Sequence, residues 1–414
     1  MKPDDRDLVR PQYDRRCISN LPDAIRHQFG LPHRKLGLID VLLEAGAKPG
    51  RFRNVILLLI DGAGVTQTSD WAALAGFRSA GSVTPITTVF PSTTAAALTT
   101  LHSGGLTPRE HGLPEWHIYF RELDEILESL PFRRLEDGTL CNAHPKMLFD
   151  GPTMYEELGK AGVQSFTFGR SAYSDGPYSR VALRGSTVVG ALDTADLFVN
   201  LAARLSSTTS PTYFFVYWDA IDNMAHRYGP GGEYSKVGLD TLGFALKRGL
   251  LDHLDESVRR DTLLLLTADH GGVRVNPQET IYLEHEWPGI NDAFRNGPRG
   301  RLILPSGNVR DVFLSIREDQ LDLTASTLRQ LLAGRADILT SEEAVRDGLF
   351  GSGEVDHPEF RSRIGDILIL PRGNRTIWFR HPGTQPYHLP GTHGGLTRDE
   401  MMVPLAVSPL SGLA

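Results

Sequence analysis

Cysteine is close to missing. Cys17 and Cys141 are the only two in 414 residues, too few for a disulfide framework and without the Cys-x-x-Cys spacing of a thiolate metal site or redox couple. No run of eighteen apolar residues occurs, so nothing reads as a membrane-spanning helix. The opening Met1-Lys-Pro-Asp-Asp-Arg-Asp7 carries charge where a signal peptide would continue into an apolar stretch. Together these shortages predict a soluble, cytoplasmic protein that has no membrane partner. Basic charge is also in deficit, with 43 Lys and Arg against 50 Asp and Glu and a net charge of −7. That excludes a general nucleic-acid surface and leaves a small or locally bound anion as the expected ligand. No internal repeat and no low-complexity segment is visible.

What is present is globular in composition, 40% apolar and 22% charged, and long enough for one core plus a cap. Apolar runs of strand length alternate with helical stretches. Strands are expected at Asn54–Ile60, Val163–Phe168, Tyr213–Trp218 and from Thr262, and helices at 153–161, 194–205 and 235–254. Such alternation predicts an α/β fold, a three-layer sandwich whose mostly parallel central sheet is flanked by helices. The core is expected over 1–274 and 389–414, with an insertion at about 109–150, and 275–388 reads as an inserted cap subdomain. Within the cap, Val312–Ile316 and Ile367–Leu370 read as short strands and Leu321–Ala333 as a helix.

In a parallel sheet, ligands collect at the carboxyl ends of the strands. Asp61 follows the first apolar run and opens a Gly-rich turn, Asp61-Gly-Ala-Gly64. Asp269 and His270 end another run, with two glycines after them. Asp222 and His226 follow a third, four apart, so one helical turn puts a carboxylate and an imidazole on one face. His393 sits in Thr392-His-Gly-Gly395, where small residues allow close backbone approach. Ser92, Thr93 and Thr94 precede an Ala-rich helical stretch, placing a hydroxyl at a helix N-terminus, a place suited to a phosphate. The Glu284-His285-Glu286 triplet reads as a solvated charged loop.

Collected in this order, Ile60-Asp-Gly62, Asp222-x-x-x-His226, Asp269-His-Gly271 and Thr392-His-Gly394 resemble the metal motifs of the alkaline phosphatase superfamily, within it the type I phosphodiesterase/nucleotide pyrophosphatase branch. The resemblance runs from about residue 52 to the C-terminus. It implies two divalent metal ions, one held by Asp61, Asp269, His270 and the nucleophile, the other by Asp222, His226 and His393. Zinc suits that mixed carboxylate and imidazole set, and manganese or iron is also compatible. In this branch the nucleophile lies about ten residues before the Gly that closes the following helix; counted from Gly104, that is Thr94, with Thr93 and Ser92 as the other hydroxyls in reach.

The implied activity is metal-dependent hydrolysis of a small phosphate ester through a covalent phosphothreonine. The alternatives are a monoesterase or phosphonate-cleaving enzyme on the same core, and a metal-stabilised binding protein that has lost activity. A sulfatase is excluded by the missing Cys-x-Pro-x-Arg. Two departures put nucleotide specificity in question. Ala95 follows Thr94, and Glu115 and Trp116 stand where the branch places a phosphate-binding Asn after His-Gly. Glu115 and Trp116 are therefore the expected substrate contacts, the former able to take a cationic substituent, while Tyr173 and Tyr178 are expected to pack the insertion.

Overall fold

Six apolar residues in a row, Val55 to Ile60, need burial on both faces, and they find it at the middle of a seven-stranded sheet. The computed structural model describes residues 8–353 and 355–413; the charged lead Met1–Asp7 lies outside the described residues. Across the sheet the strands run Ser82–Thr87, Met402–Pro409, Thr262–Thr267, Asn54–Ile60, Thr212–Trp218, Gln164–Arg170 and Thr187–Ala191. Met402–Pro409 is antiparallel to both of its neighbours, and the other pairings are parallel. Helices such as Thr94–His102, Thr194–Ser207 and Gly232–Ala245 flank the sheet, so the α/β reading with a mostly parallel sheet holds.

Register puts the chemistry on one edge. Ile60 pairs with Trp218 and Leu59 with Thr267, so Asp61, Asp219 and Asp269 leave three neighbouring strands at the same level. Every residue of Asn54–Ile60 and of Thr262–Thr267 is buried. At a typical cost of about 2–5 kcal/mol for truncating a buried Leu to Ala, substitutions in this pair of strands are costly.

The helix expected over 235–254 ends earlier. Gly232–Ala245 is α-helical, Leu246–Leu250 widens into a π turn, and Leu251–His253 is 3-10. Gly249 lies against Phe198, where an added Cβ would sit 2.9 Å from the Phe198 Cβ. The strand Thr187–Ala191 escaped the sequence reading because four of its five residues are exposed or half-exposed.

A second sheet unites two distant segments. Its strands run Ala336–Thr340, Ile367–Pro371, Asp311–Leu314, Ser306–Asn308, His117–Phe120, Glu125–Glu128 and Arg133–Arg134. The joint is the Gly307–His117 pair, where the His117 Nδ1 also bonds the Gly307 carbonyl at 3.1 Å. A small apolar cluster of Phe90, Phe313, Phe350, Phe360, Leu396 and Met401 packs this sheet onto the loops that follow Thr87 and precede Met402. Among the described residues, no helix is long and apolar enough to cross a membrane.

Candidate active site

Asp61, Asp222, Asp269, His226, His270, His393 and Thr94 converge at the carboxyl edge of the central strands. Each arrives by a different local device. Asp61 and Asp269 end buried strands. Asp222 and His226 stand one turn apart on the helix Ala220–Tyr228, with His226 Nε2 3.1 Å from Asp222 Oδ2. Thr94 opens the helix Thr94–His102. His393 comes from the loop before Met402–Pro409, its Nε2 3.7 Å from Asp222 Oδ1.

Two clusters result. Asp61, Asp269 and His270 can bring ligand atoms within 4.8 Å of one another, and so can Asp222, His270 and His393. His270 belongs to both, its Nε2 standing 3.4 Å from Asp61 Oδ1, 3.4 Å from Asp269 Oδ2 and 3.1 Å from Thr94 Oγ1. Thr94 Oγ1 is also 3.5 Å from Asp61 Oδ1. Gly62 makes the approach possible. It adopts φ 72°, and a Cβ there would lie 2.9 Å from the Asp222 Cα.

The three imidazoles share one arrangement. Nδ1 of His226 meets the Gly391 carbonyl at 3.0 Å, Nδ1 of His270 the Gly271 carbonyl at 2.8 Å, and Nδ1 of His393 the Ser92 carbonyl at 3.0 Å. A carbonyl only accepts, so each Nδ1 carries a proton and each Nε2 is directed at carboxylates. That tautomer is the one a metal-ligating histidine takes.

The electrostatics suit bound cations. Burial raises the Asp61 carboxyl well above its ordinary range, and Asp269 and Asp222 beside it raise it further. Asp269 Oδ2 is buried and closes no hydrogen bond. Burial works against the charge of Asp222, yet the neighbouring His226 holds its carboxyl below the usual range; the same pairing overrides burial of His226 and lifts that imidazole to about 9. Burial and the adjacent His270 push His393 far down, keeping it neutral. Three carboxylates and three correctly tautomerised imidazoles fit a pair of divalent ions.

Sequence reasoning missed the ring of groups behind Asp61. The Tyr217 hydroxyl donates to Asp61 Oδ2. Tyr217 sits inside an apolar run, where a hydroxyl looks like core. At the rim, Arg170 Nε donates to Asp219 Oδ1 at 2.7 Å and the Tyr173 hydroxyl to Asp219 Oδ2 at 3.0 Å. Tyr173 is 48% exposed, so it does not pack the insertion, whereas Tyr178 is buried against Thr99 Oγ1 at 3.0 Å. Glu115 is fully buried, its carboxylate beside Thr93 and Asn308, and no hydrogen bond or ion pair joins it to the seven convergent residues. Trp116 is half-buried next to it, its amide donating to Glu115. His285 is held in a surface turn where Glu286 pairs with Arg335 at 2.5 Å.

Comparison with known proteins bears on the fold and the family. Many solved structures share the fold, three of them as follows. Murine ectonucleotide pyrophosphatase/phosphodiesterase 5 superposes with a TM-score of 0.61 at 16% identity, over 85% of this chain and 87% of that one. An inactive variant of the same murine protein, in complex with AMP, gives 0.63 at 16% identity over the same shares. Phosphonoacetate hydrolase from Sinorhizobium meliloti 1021, in complex with phosphonoformate, gives 0.61 at 19% identity, over 86% and 90%. A search of the curated proteins finds no match. The model of the type I phosphodiesterase/nucleotide pyrophosphatase family matches residues 55–396, from the first core strand to the loop that carries His393. The chain therefore belongs to that family, within the alkaline phosphatase superfamily.

Proposed function

We propose that the protein is a two-metal phosphodiesterase that works on a small phosphate ester through a covalent intermediate at Thr94. The observation that carries this reading is the position of Thr94 Oγ1, 3.1 Å from His270 Nε2 and 3.5 Å from Asp61 Oδ1 at the first turn of a helix. One ion is assigned to Asp61, Asp269 and His270 with Thr94, the other to Asp222, His226 and His393. Two divalent ions bound there, zinc by preference for this donor set, would supply positive charge to the phosphoryl oxygens and lower the pKa of the Thr94 hydroxyl.

The chain's own groups do the positioning. Asp61 is oriented by Tyr217 and by its place at a strand end. Thr93 contributes no side-chain cap to the helix Thr94–His102, so its first-turn amides remain for a phosphoryl oxygen. The Thr94 oxygen bonds to phosphorus as the bond to the leaving oxygen breaks in line; the hydroxyl proton goes to solvent and the departing oxygen takes one back. Water then bonds to phosphorus, the Thr94–phosphorus bond breaks, and Thr94 recovers its proton. The Arg170 guanidinium at the rim is already balanced by Asp219, which favours a monoanionic diester over a dianionic monoester. Two free, buried cysteines are consistent with a cytoplasmic, reducing compartment.

Metal analysis of the purified protein, with hydrolysis of a generic diester, monoester and phosphonate by wild type and Thr94→Ala, tests the reading. We expect two divalent ions per chain, diester turnover above the other two, and loss of at least a thousandfold in Thr94→Ala. Unchanged turnover in Thr94→Ala removes the phosphothreonine. Preferred monoester or phosphonate turnover reassigns the substrate, and a metal-replete protein that hydrolyses none of them is a binding protein.

A further inference from the structure

Beside the nucleophile loop lies a second set of oxygens that the reaction does not use. Thr93, Glu115 and Asp311 are 1%, 0% and 0% exposed. Glu115 Oε1, both carboxylate oxygens of Asp311 and Thr93 Oγ1 are buried, and none closes a hydrogen bond. The groups face one another. The strand register sets Asn308 opposite Asp311 and Gly307 opposite His117, two residues after Glu115. The Thr93 and Asn308 side chains lie against the Glu115 carboxylate, and Glu115 in turn adds to what burial does in raising the Asp311 carboxyl above its ordinary range. Asp311 Oδ1 also presses on the loop of His393, since a Cβ on Gly394 would come within 2.6 Å of it.

Among the described residues, the cation that acts on Asp311 is Arg310, and it is already ion-paired with Glu400. Arg310, next in the chain to Asp311, spends Nε and one Nη on Glu400, both at 2.9 Å, and two further N–H groups on the carbonyls of Gly373, at 2.7 Å, and Arg375. Asn308 Oδ1 is taken by the Val309 amide at 2.6 Å, so its amide nitrogen is the group turned to Glu115. Two buried carboxylates with three unpartnered oxygens cost several kcal/mol unless something answers them, and a hydroxyl aimed at the same point cannot answer both.

We propose that Thr93, Glu115 and Asp311 form a binding site for one hard divalent cation of the Mg2+ or Ca2+ class, separate from the dinuclear centre. The donors are oxygens only, with no imidazole or thiolate, which selects hard ions over zinc. Two carboxylates would neutralise the ion, and Thr93 Oγ1 would complete the protein's share of its coordination. The position gives the ion work to do. Asp311 and Asn308 belong to the second sheet, Glu115 to the segment before His117–Phe120, and Thr93 is the residue before Thr94. An ion held there ties the cap to the nucleophile loop and fixes the peptide that presents Thr94. The site itself does not depend on Thr94 being the nucleophile.

The test uses the purified full-length protein saturated with zinc. Titration with Mg2+ and with Ca2+, followed by calorimetry and thermal unfolding, should reveal one further ion per chain and a rise in Tm. In Glu115→Gln/Asp311→Asn that uptake should weaken at least tenfold while the zinc count stays as in wild type. Terbium luminescence on otherwise intact protein is the second measurement and does not depend on the folding of the double variant. Tb3+ should be sensitised through the adjacent Trp116, displaced by Ca2+, and lose most of its emission in Trp116→Phe. No hard-cation uptake by wild type overturns the proposal, and so does equal uptake by the double variant. A double variant more stable than wild type at every cation concentration also overturns it, because the two carboxyls then simply share protons.

Discussion

His270 and His393 lie ring on ring, with centroids 3.6 Å apart and planes 14° from parallel. Their Nε2 atoms serve neighbouring clusters, so neither half of the centre is independently walled. His393→Ala should therefore lower occupancy at both positions, leaving less than one ion per chain after dialysis against micromolar zinc. Metal analysis showing a clean drop from two ions to one, with wild-type affinity for the survivor, would count against this coupling.

Tyr217 acts through Asp61. Removing its hydroxyl in Tyr217→Phe leaves a buried carboxylate oxygen unsatisfied in the metal-free protein and misorients the ligand in the loaded one. We expect metal affinity to fall about 10- to 100-fold, with KM for a diester nearly unchanged at saturating metal. Competition with a chelating dye reads the affinity directly.

Acid should unfold this protein through histidines remote from the metals. Burial lowers the pKa of His102 to about 3, with its Nδ1 2.7 Å from the Tyr155 hydroxyl, and burial beside His357 lowers that of His111 to about 3. An unfolded histidine titrates near 6.5. Between that value and about 3 the unfolded chain binds the extra proton, so stability is fully present above about pH 6.5 and is lost as pH falls, by about 1.4 kcal/mol per pH unit for each group. His102→Gln should be less stable at pH 8 yet show a flatter decline between pH 6 and 4. Equal slopes for variant and wild type in urea unfolding would contradict the assignment.

The Arg310–Glu400 pair is wholly buried, its guanidinium also holding the turn at Gly373 and Arg375. Arg310→Met leaves Glu400 charged with its main partner gone, and we expect a loss of about 3–5 kcal/mol. Pairing it with Glu400→Gln should recover part of that loss. Chemical denaturation of the two variants distinguishes a lost pair from a lost packing volume.

The core was legible because its signals are local. Runs such as Thr262–Thr267 are buried throughout, so composition alone announces them, and the residue that ends each run is where a parallel sheet exposes function. The i, i+4 spacing of Asp222 and His226 needed only a helix to become a contact. What stayed hidden depends on non-local pairing. Thr187–Ala191 is too exposed to look like a strand, and Ser306–Asn308 is three residues long. Tyr217 reads as an ordinary core residue until the fold brings Asp61 to it, and Asp311 lies just before the strand expected at Val312–Ile316.

The seam between His117 and Gly307 spans 190 residues of chain. At synthesis rates of about 5–20 residues per second, the His117–Phe120 edge waits on the order of 10 to 40 seconds on the ribosome for its neighbour. Throughout that interval Ile118, Tyr119 and Phe120, all buried in the finished protein, face the cell with an unpaired strand border. Only the hairpin with Glu125–Glu128 covers one side early. The nascent chain is thus most vulnerable to chaperone capture or aggregation until Ser306–Asn308 emerges to complete the second sheet.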